Sequence, residues 1–507
     1  TALMALAAAT TFAGDNGTAE RMKKDITFLA SDVCEGRGID TQGINKAADY
    51  IADQLKQAGL KPGGKNGTYF QPFTVDDGMS KVEDDNTFTL RGPLGQEIAL
   101  KLGKDYQALP MSSGGMVSAP VVFAGYGVQA KSPDYDDFKG IDVAGKIVVV
   151  LRRVPRWDSE AAPFAADKEK FAGLEAKIAT CKLNKAAAVI LVNDRSEAAA
   201  GDKLSFLAGG GPSDLPVLQL RRNVFDMILT SSTGNRLVDV EMDIDRDLKP
   251  RSGPLPGWTA SLKTKRLSYA CKNIIGVLEG SGPLADETVV VGAHYDHLGF
   301  GGKGSKTKAI HPGADDNASG TTTVMELARR FGALKNRQGR RMVFMLFSGE
   351  ERGLLGSRHY CNKEPLFPLE NTVAMLNLDM VGRVDAKEPK LIVQGDDSGK
   401  GFKQLIDKLN SDVGFTLERR NTEFGRSDRA SFYAKKIPVV FFFTGLHGQY
   451  HRPTDTADLV NFAGMAKVAT LAEKLLAQFA GETQRPEYVQ LALGGKGAKG
   501  GKGGAKL

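Results

Sequence analysis

The chain is predicted to be an α/β protein, a mostly parallel central sheet flanked by helices, with an inserted β-rich domain. Three observations predict it. From about Lys272, strand-like runs (NIIGVLEG, ETVVVGAH, RMVFMLFSG, TVAMLNLDM, KLIVQG, PVVFFFTG) alternate with helical stretches at 317–333, 352–362, 400–411, 428–435 and 458–480. That alternation is the pattern of a parallel layer covered by helices. Residues 113–262 instead carry short strands between Gly, Asp and Pro turns and contain no histidine. All six histidines fall between His294 and His451. At 507 residues the chain exceeds a single core, so two or more domains are expected.

The opening residues, 1–16, are apolar and alanine-rich and end in small residues. They resemble the apolar core and cleavage zone of a secretory signal whose basic start is missing, so a secreted or periplasmic location is expected. Helical apolar spacing follows from Ala19 to Leu29, then a polar loop with Glu35-Gly-Arg-Gly38. A second amphipathic helix is predicted from about Gly43 to Ala58, with Gly59 ending it and Pro62 beyond. Residues 66–112 have short alternating runs and many turn residues. In the β-rich block, APVVFAGYGV, GKIVVVLRRV, AAAVILVND and DLPVLQL read as strands, with a helix over Lys170–Lys185. The stretch Lys249–Gly257 (KPRSGPLPG) reads as the exit linker.

Charge excludes some functions. The formal net charge is +7, but the Gly/Ala/Lys tail from Gly494 to Leu507 holds four lysines and no acid, leaving about +3 elsewhere. Such a tail cannot bury apolar surface and is expected to be disordered over 483–507. No aromatics interleave its lysines, so nucleic acid is not an expected partner. No run approaches the ~18 apolar residues of a membrane span. The four cysteines (Cys34, Cys181, Cys271, Cys361) have neither CxxC nor framework spacing; their pairing is not readable and none is assigned as a nucleophile.

The chemistry gathers at strand ends, where open α/β sheets place their sites. The run Thr288–Val291 ends in Gly292, followed by His294 and Asp296. RMVFMLFSG ends in Glu350-Glu351. VAMLNL ends in Asp379. VVFFFTG leads to His447, Tyr450 and His451. GADDNASG puts Asp315-Asp316 just before a helix. Each has a plain structural reading: Glu350-Glu351 as a helix start, Asp315-Asp316 as a cap, His294 as a satisfied core histidine. Together, imidazoles and ionised carboxylates without thiolate suit Zn²⁺, singly or as a pair sharing a carboxylate. Adjacent glutamates point apart, so one can bind metal while the other serves as general base.

AHYDH, GADDNASG, SGEERGLLGS, NLDMVGR and YHRPTDT resemble, in this order, the motifs of the M28 family of zinc aminopeptidases, the co-catalytic dizinc exopeptidases. The likeness covers about 265–482 plus the N-terminal helices. It implies a zinc exopeptidase fold and two Zn²⁺ ions. By the resemblance, His294 and Asp379 bind one zinc, Asp316 bridges, and Glu351 and His451 bind the other. Glu350 is implied as general base to a metal-bridging hydroxide, Asp296 as the carboxylate orienting His294, and Tyr450 as a donor to the oxyanion. His297, His311 and Asp315 are left as loop support, and Gly299–Lys308 as a flexible rim. The family commonly reads Gly-Arg-Ser-Asp-His, whereas here Gly425-Arg426-Ser427-Asp428 is followed by Arg429. That loop shapes the substrate pocket in relatives, so side-chain specificity does not carry over. The 113–262 block resembles a protease-associated (PA) domain, which would divide the peptidase domain into 17–112 and 263–482. A peptide or protein substrate follows, hydrolysed at its N-terminal bond. A carboxypeptidase, a glutaminyl cyclase-like acyltransferase and a non-enzymatic receptor-like ectodomain remain as alternatives.

Overall fold

A computed structural model of the chain describes residues 15–79, 83–159, 164, 168–204, 213–301, 308–420 and 427–491. The opening stretch up to residue 14, most of the Gly299–Lys308 run, Gly425-Arg426 and the tail from 492 lie outside the described residues. The chain divides into two compact units, one of Thr1–Val75 with Tyr269–Leu507 and one of Asp76–Ser268.

The first unit is built on a mixed sheet. Its strands are β1 (Arg266–Leu278), β2 (Thr288–His294), β3 (Arg341–Phe347), β4 (Thr372–Leu378), β5 (Lys390–Gln394), β6 (Thr416–Arg419) and β7 (Val439–Phe443). Their spatial order is β1-β3-β2-β4-β7-β5-β6. The central β3, β2, β4 and β7 run parallel, while β1 and β5 pair antiparallel at their flanks. Strands buried on both faces explain the continuous apolar runs in the sequence. In β2, Val289, Val291 and Ala293 enter one core and Val290 the other. The first core lies under helices α1 (Asp15–Leu29), α2 (Gly43–Gln57), α3 (Gly320–Gly332) and α6 (Phe462–Gly481). The second lies under α4 (Leu355–Asn362) and the short helix Arg429–Tyr433, with Tyr360 and Phe432 stacked at 5.9 Å. Each fully buried Val contributes on the order of 1.5–3 kcal/mol, and Asn461 caps α6 by accepting from Gly464 N at 2.9 Å.

The topology fixes where chemistry gathers. From β2 the chain goes to β3 on one side, then crosses back to β4 on the other. The carboxyl ends of β2 and β4 therefore flank the switch point, where a crevice opens.

The second unit has a sheet of its own, of eight strands among the described residues. Thr87–Arg91 pairs with Glu97–Leu100 on one side and with Gly253–Thr264 on the other, and Tyr106–Ala108 pairs with Val217–Leu220. By its contacts the unit runs from Asp76 to Ser268. Lys249–Gly257 is not wholly a linker: from Gly253 it belongs to a strand, with an irregular register between Pro254 and Thr259 where the prolines sit. At its centre, Ile147–Leu151 and Ala188–Val192 run parallel and are fully buried.

Candidate metal centre and cleft

Each donor is carried by the end of a parallel strand or by the loop beyond it. His294 is the last residue of β2 and Asp379 directly follows β4. Glu350 and Glu351 begin the turn after β3, and His451 lies in the loop after β7. Asp316 sits in the turn before α3. Asn317 holds that turn to the end of β4, its Nδ2 donating to Leu378 O (3.1 Å) and its Oδ1 accepting from Met380 N (3.1 Å). Met380 and His451 have φ of 51° and 57°. These are left-handed values that non-glycine residues hold only when the surroundings impose them.

The donor atoms form two sets that share Asp316. His294 Nε2 lies 3.4 Å from Asp316 Oδ1 and 3.4 Å from Asp379 Oδ1. His451 Nε2 lies 3.1 Å from Asp316 Oδ2 and 3.2 Å from Glu351 Oε2. Each oxygen of Asp316 thus faces a different imidazole. Ligands bound tetrahedrally at about 2.0–2.1 Å to one Zn²⁺ stand about 3.3 Å apart, which is the spacing in both sets. His451 Nε2 is buried and has no hydrogen-bond partner among the described residues, so its lone pair fits a cation between those carboxylates. His294 Nδ1 bonds the Asp296 carbonyl at 3.2 Å, which fixes the tautomer and leaves Nε2 as a ligand atom.

The electrostatics agree. Burial works against charging His294, but Asp379 and Glu350 outweigh it and hold its pKa well above the ordinary value. Burial likewise opposes ionising Asp316, yet His294, His297 and His451 hold it well below the usual carboxylate range. Burial raises Glu350 well above that range against His294, with Asp428 and Asp379 adding repulsion. Such a field attracts positive charge.

Asp296 is placed differently from the expected orienting contact. Its carboxylate lies 3.7 Å from His294 Nδ1, beyond hydrogen bonding, and instead accepts the N–H of Glu350 (3.1 Å) and of Glu351 (3.3 Å). It therefore sets the turn that aims both glutamates. Tyr450 stacks on His451 with ring centroids 3.8 Å apart and borders the cleft. The cleft, about 260 Å³, is lined by His294, Asp316, Glu350, Glu351, Asp379 and His451, with Met380, Gln394, Arg429, Phe441, Phe443 and Leu446 beside them.

Residues outside the predicted set complete the site. His297, read as loop support, is buried with Nδ1 2.7 Å from Glu351 Oε1 and 3.8 Å from Asp316 Oδ2. It is grouped with those carboxylates as a donor, but the 2.7 Å contact is a hydrogen bond, which leaves Glu351 Oε2 for the second position. Asp455 Oδ2 accepts the N–H of Asp315 (3.0 Å) and Asp316 (3.1 Å), while its Oδ1 meets Arg383 at 2.9 Å. Arg37, fully buried, donates to the carbonyls of Tyr295 (2.8 Å), Leu29 (2.6 Å), Pro312 (2.7 Å) and Gly313 (2.8 Å). It thereby ties the loop after β2 to the turn that carries Asp316. Gly36 beside it has φ 60°, and a Cβ there would meet Gly299 O and His311 O at 2.5 Å. The sequence showed the charge in Glu35-Gly-Arg-Gly38 and the acid in RPTDT, but no spacing rule connects them to residues some 280 and 140 positions away. All four cysteines are free and buried.

Fold and donors together define a class: an α/β domain with candidate metal-binding donors gathered at the carboxyl edge of its sheet. Residues 273–476 match the model of Peptidase family M28 and residues 117–228 that of the PA domain. It is 27% identical over 245 residues to aminopeptidase YwaD of Bacillus subtilis, covering 47% of this chain and 51% of that protein. It is 33% identical over 227 residues to a probable leucine aminopeptidase of Arthroderma otae, covering 42% of this chain and 60% of the relative. The chain thus spans about half the length of the curated relatives it matches. Among solved structures, an aminopeptidase from Aneurinibacillus sp. strain AM-1 superimposes with a TM-score of 0.47 at 23% identity, over 94% of this chain and 97% of that one.

Proposed function

We propose that this protein is a zinc-dependent aminopeptidase that hydrolyses the N-terminal peptide bond of peptides. One observation carries the reading: the Asp316 carboxylate divides its oxygens between two donor sets, with Glu350 in the same cleft. His294 and Asp379 would hold one zinc, Glu351 and His451 the other, and Asp316 both. Bound there, the ions would polarise the scissile carbonyl and acidify water. Glu350 accepts the proton of the attacking water and returns it to the leaving amine. Tyr450 at the cleft's border donates to the oxygen that becomes negative. Asp296 keeps Glu350 aimed through the backbone.

The relatives' names favour the amino end of the substrate. An extracytoplasmic location belongs to the same proposal and rests on the apolar opening stretch; no described helix is long and apolar enough to cross a membrane. The test uses amino-blocked and carboxyl-blocked peptides with metal-free and zinc-restored protein. Cleavage of carboxyl-blocked peptides alone, restored at two zinc per chain, is expected. Cleavage of amino-blocked peptides would make it a carboxypeptidase. Cyclisation of N-terminal glutamine at one zinc per chain would make it an acyltransferase, and inertness in every arm would leave the receptor-like reading.

A further inference from the structure

Beside the cation positions the cleft is walled by Met380, Phe441, Phe443 and Leu446, and a cation stands among them. Arg429 is 3% exposed, yet it borders the cleft. Its guanidinium carbon lies 3.8 Å from the Phe441 ring centroid, and Nη2 donates to Gln394 Oε1 at 2.5 Å. Ring and amide fix the plane of the guanidinium. Its Nε and Nη1 are buried and have no acceptor among the described residues. Ser427, two residues earlier, donates to Asp379 Oδ2 at 2.9 Å, which anchors this segment to the first donor set. Burial pushes Arg429 down to about 10 against the pull of Asp379, Glu350 and Asp428, so it remains charged at neutral pH.

A buried guanidinium with unfilled N–H groups is unfavourable until an anion meets it. A guanidinium N–H gives a carboxylate a short, charge-assisted hydrogen bond. An apolar wall beside it suits methylene groups more than a polar backbone. We propose that Arg429, held by Gln394 and Phe441, makes the cleft select peptides whose N-terminal residue is acidic, glutamate ahead of the shorter aspartate. The methylenes of glutamate lie along Met380, Phe441 and Phe443, and its carboxylate accepts from Nη1 at the free end of the guanidinium. This rests on the aminopeptidase reading of the same cleft and adds the substrate class to it.

The experiment measures kcat/KM of zinc-restored protein on Glu-, Asp-, Gln-, Leu- and Ala-4-nitroanilide, for wild type, Arg429→Met and Gln394→Leu. In wild type, Glu is expected to exceed Leu by tenfold or more. In Arg429→Met that ratio falls at least tenfold, and in Gln394→Leu by less. Calorimetric binding of free L-glutamate and L-leucine to the same proteins reads the pocket without turnover. Glutamate binds more tightly than leucine to wild type, and the difference disappears in Arg429→Met. If nothing is cleaved but this binding pattern holds, the aminopeptidase reading fails and the acidic pocket stands. Leucine handled as well as glutamate in both assays overturns the pocket, as does an equal loss on both in Arg429→Met. Should Arg429→Met not fold, Gln394→Leu decides: an unchanged Glu-to-Leu ratio there overturns the proposal.

Discussion

Two buried charge clusters lie about ten residues apart on the same stretch of chain, and they are built to opposite rules. On α3, Glu326 accepts from Arg21 (2.6 and 3.0 Å) and Arg330 (3.2 Å). Next to it Arg329 holds Asp25 (2.7 Å) and Arg330 holds Glu473 (2.7 Å). Three acids meet three arginines, and each charge has its partner within the chain. Just before α3, Asp316 faces Asp379, Glu351 and Glu350, with imidazoles that offer lone pairs rather than fixed charge. Burial opposes ionising Glu326, but Arg21 and Arg330 hold its pKa below the ordinary value, while Glu350 is driven up. A balanced buried cluster supports a fold; an unbalanced one is completed by what binds there.

Four outcomes break or sharpen that contrast. The largest is for Glu350→Gln: kcat falls by about 10²–10⁴-fold, while zinc content and thermal midpoint stay at wild-type values. Wild-type-like turnover would remove Glu350 from its role, and a collapse in stability would put it with the scaffold. Next, Glu326→Ala takes from Arg21 its carboxylate and from Arg330 one of its two, and is expected to lower unfolding free energy by about 3–5 kcal/mol, read by urea titration, with zinc content per folded chain unchanged. Third, chelation should lower stability by about 2.7 kcal/mol for each zinc site, relative to a hundredfold excess of zinc over its Kd, and by the same amount in Glu326→Gln, since the clusters are independent. Unequal losses would show them coupled. Smallest is the acid response. Because Glu326 has a folded pKa below its unfolded one, its contribution is fully present above pH ~4.5 and is lost as pH falls through the folded value. The gap in melting temperature between wild type and Glu326→Gln should therefore narrow from pH 7 to pH 3; a gap that widens would reverse the assignment.

The legible part of the site was what one strand end states by itself. His294, Asp379 and Glu350-Glu351 each follow an apolar run that has to stop, so the position and the chemistry coincide in a few letters. The parallel order of the central sheet was readable for the same reason, since helices between strands force crossovers. The illegible part depends on distant partners. Asp455 and Arg37 act on backbone groups far along the chain, and backbone acceptors leave no residue-type signal. His297 was passed over because its role lies in its contact with Glu351, not in its neighbours in sequence. The pairing of Thr87–Arg91 with Gly253–Thr264 was not legible either, because a short alternating strand does not name a partner some 170 positions later.

Helix α1 rests on α3 and α6, whose residues lie some 300 and 450 positions later. During synthesis, its apolar face (Met22, Ile26, Leu29) leaves the ribosome long before those partners exist. At about 5–20 residues per second the wait lasts tens of seconds, during which the whole Asp76–Ser268 unit is delivered with a core of its own. The order of maturation is thereby written into the chain: the Asp76–Ser268 unit first, the unit that carries the cleft last. A ribosome stalled before Phe462 would hold a finished insert beside helices still in need of chaperone cover.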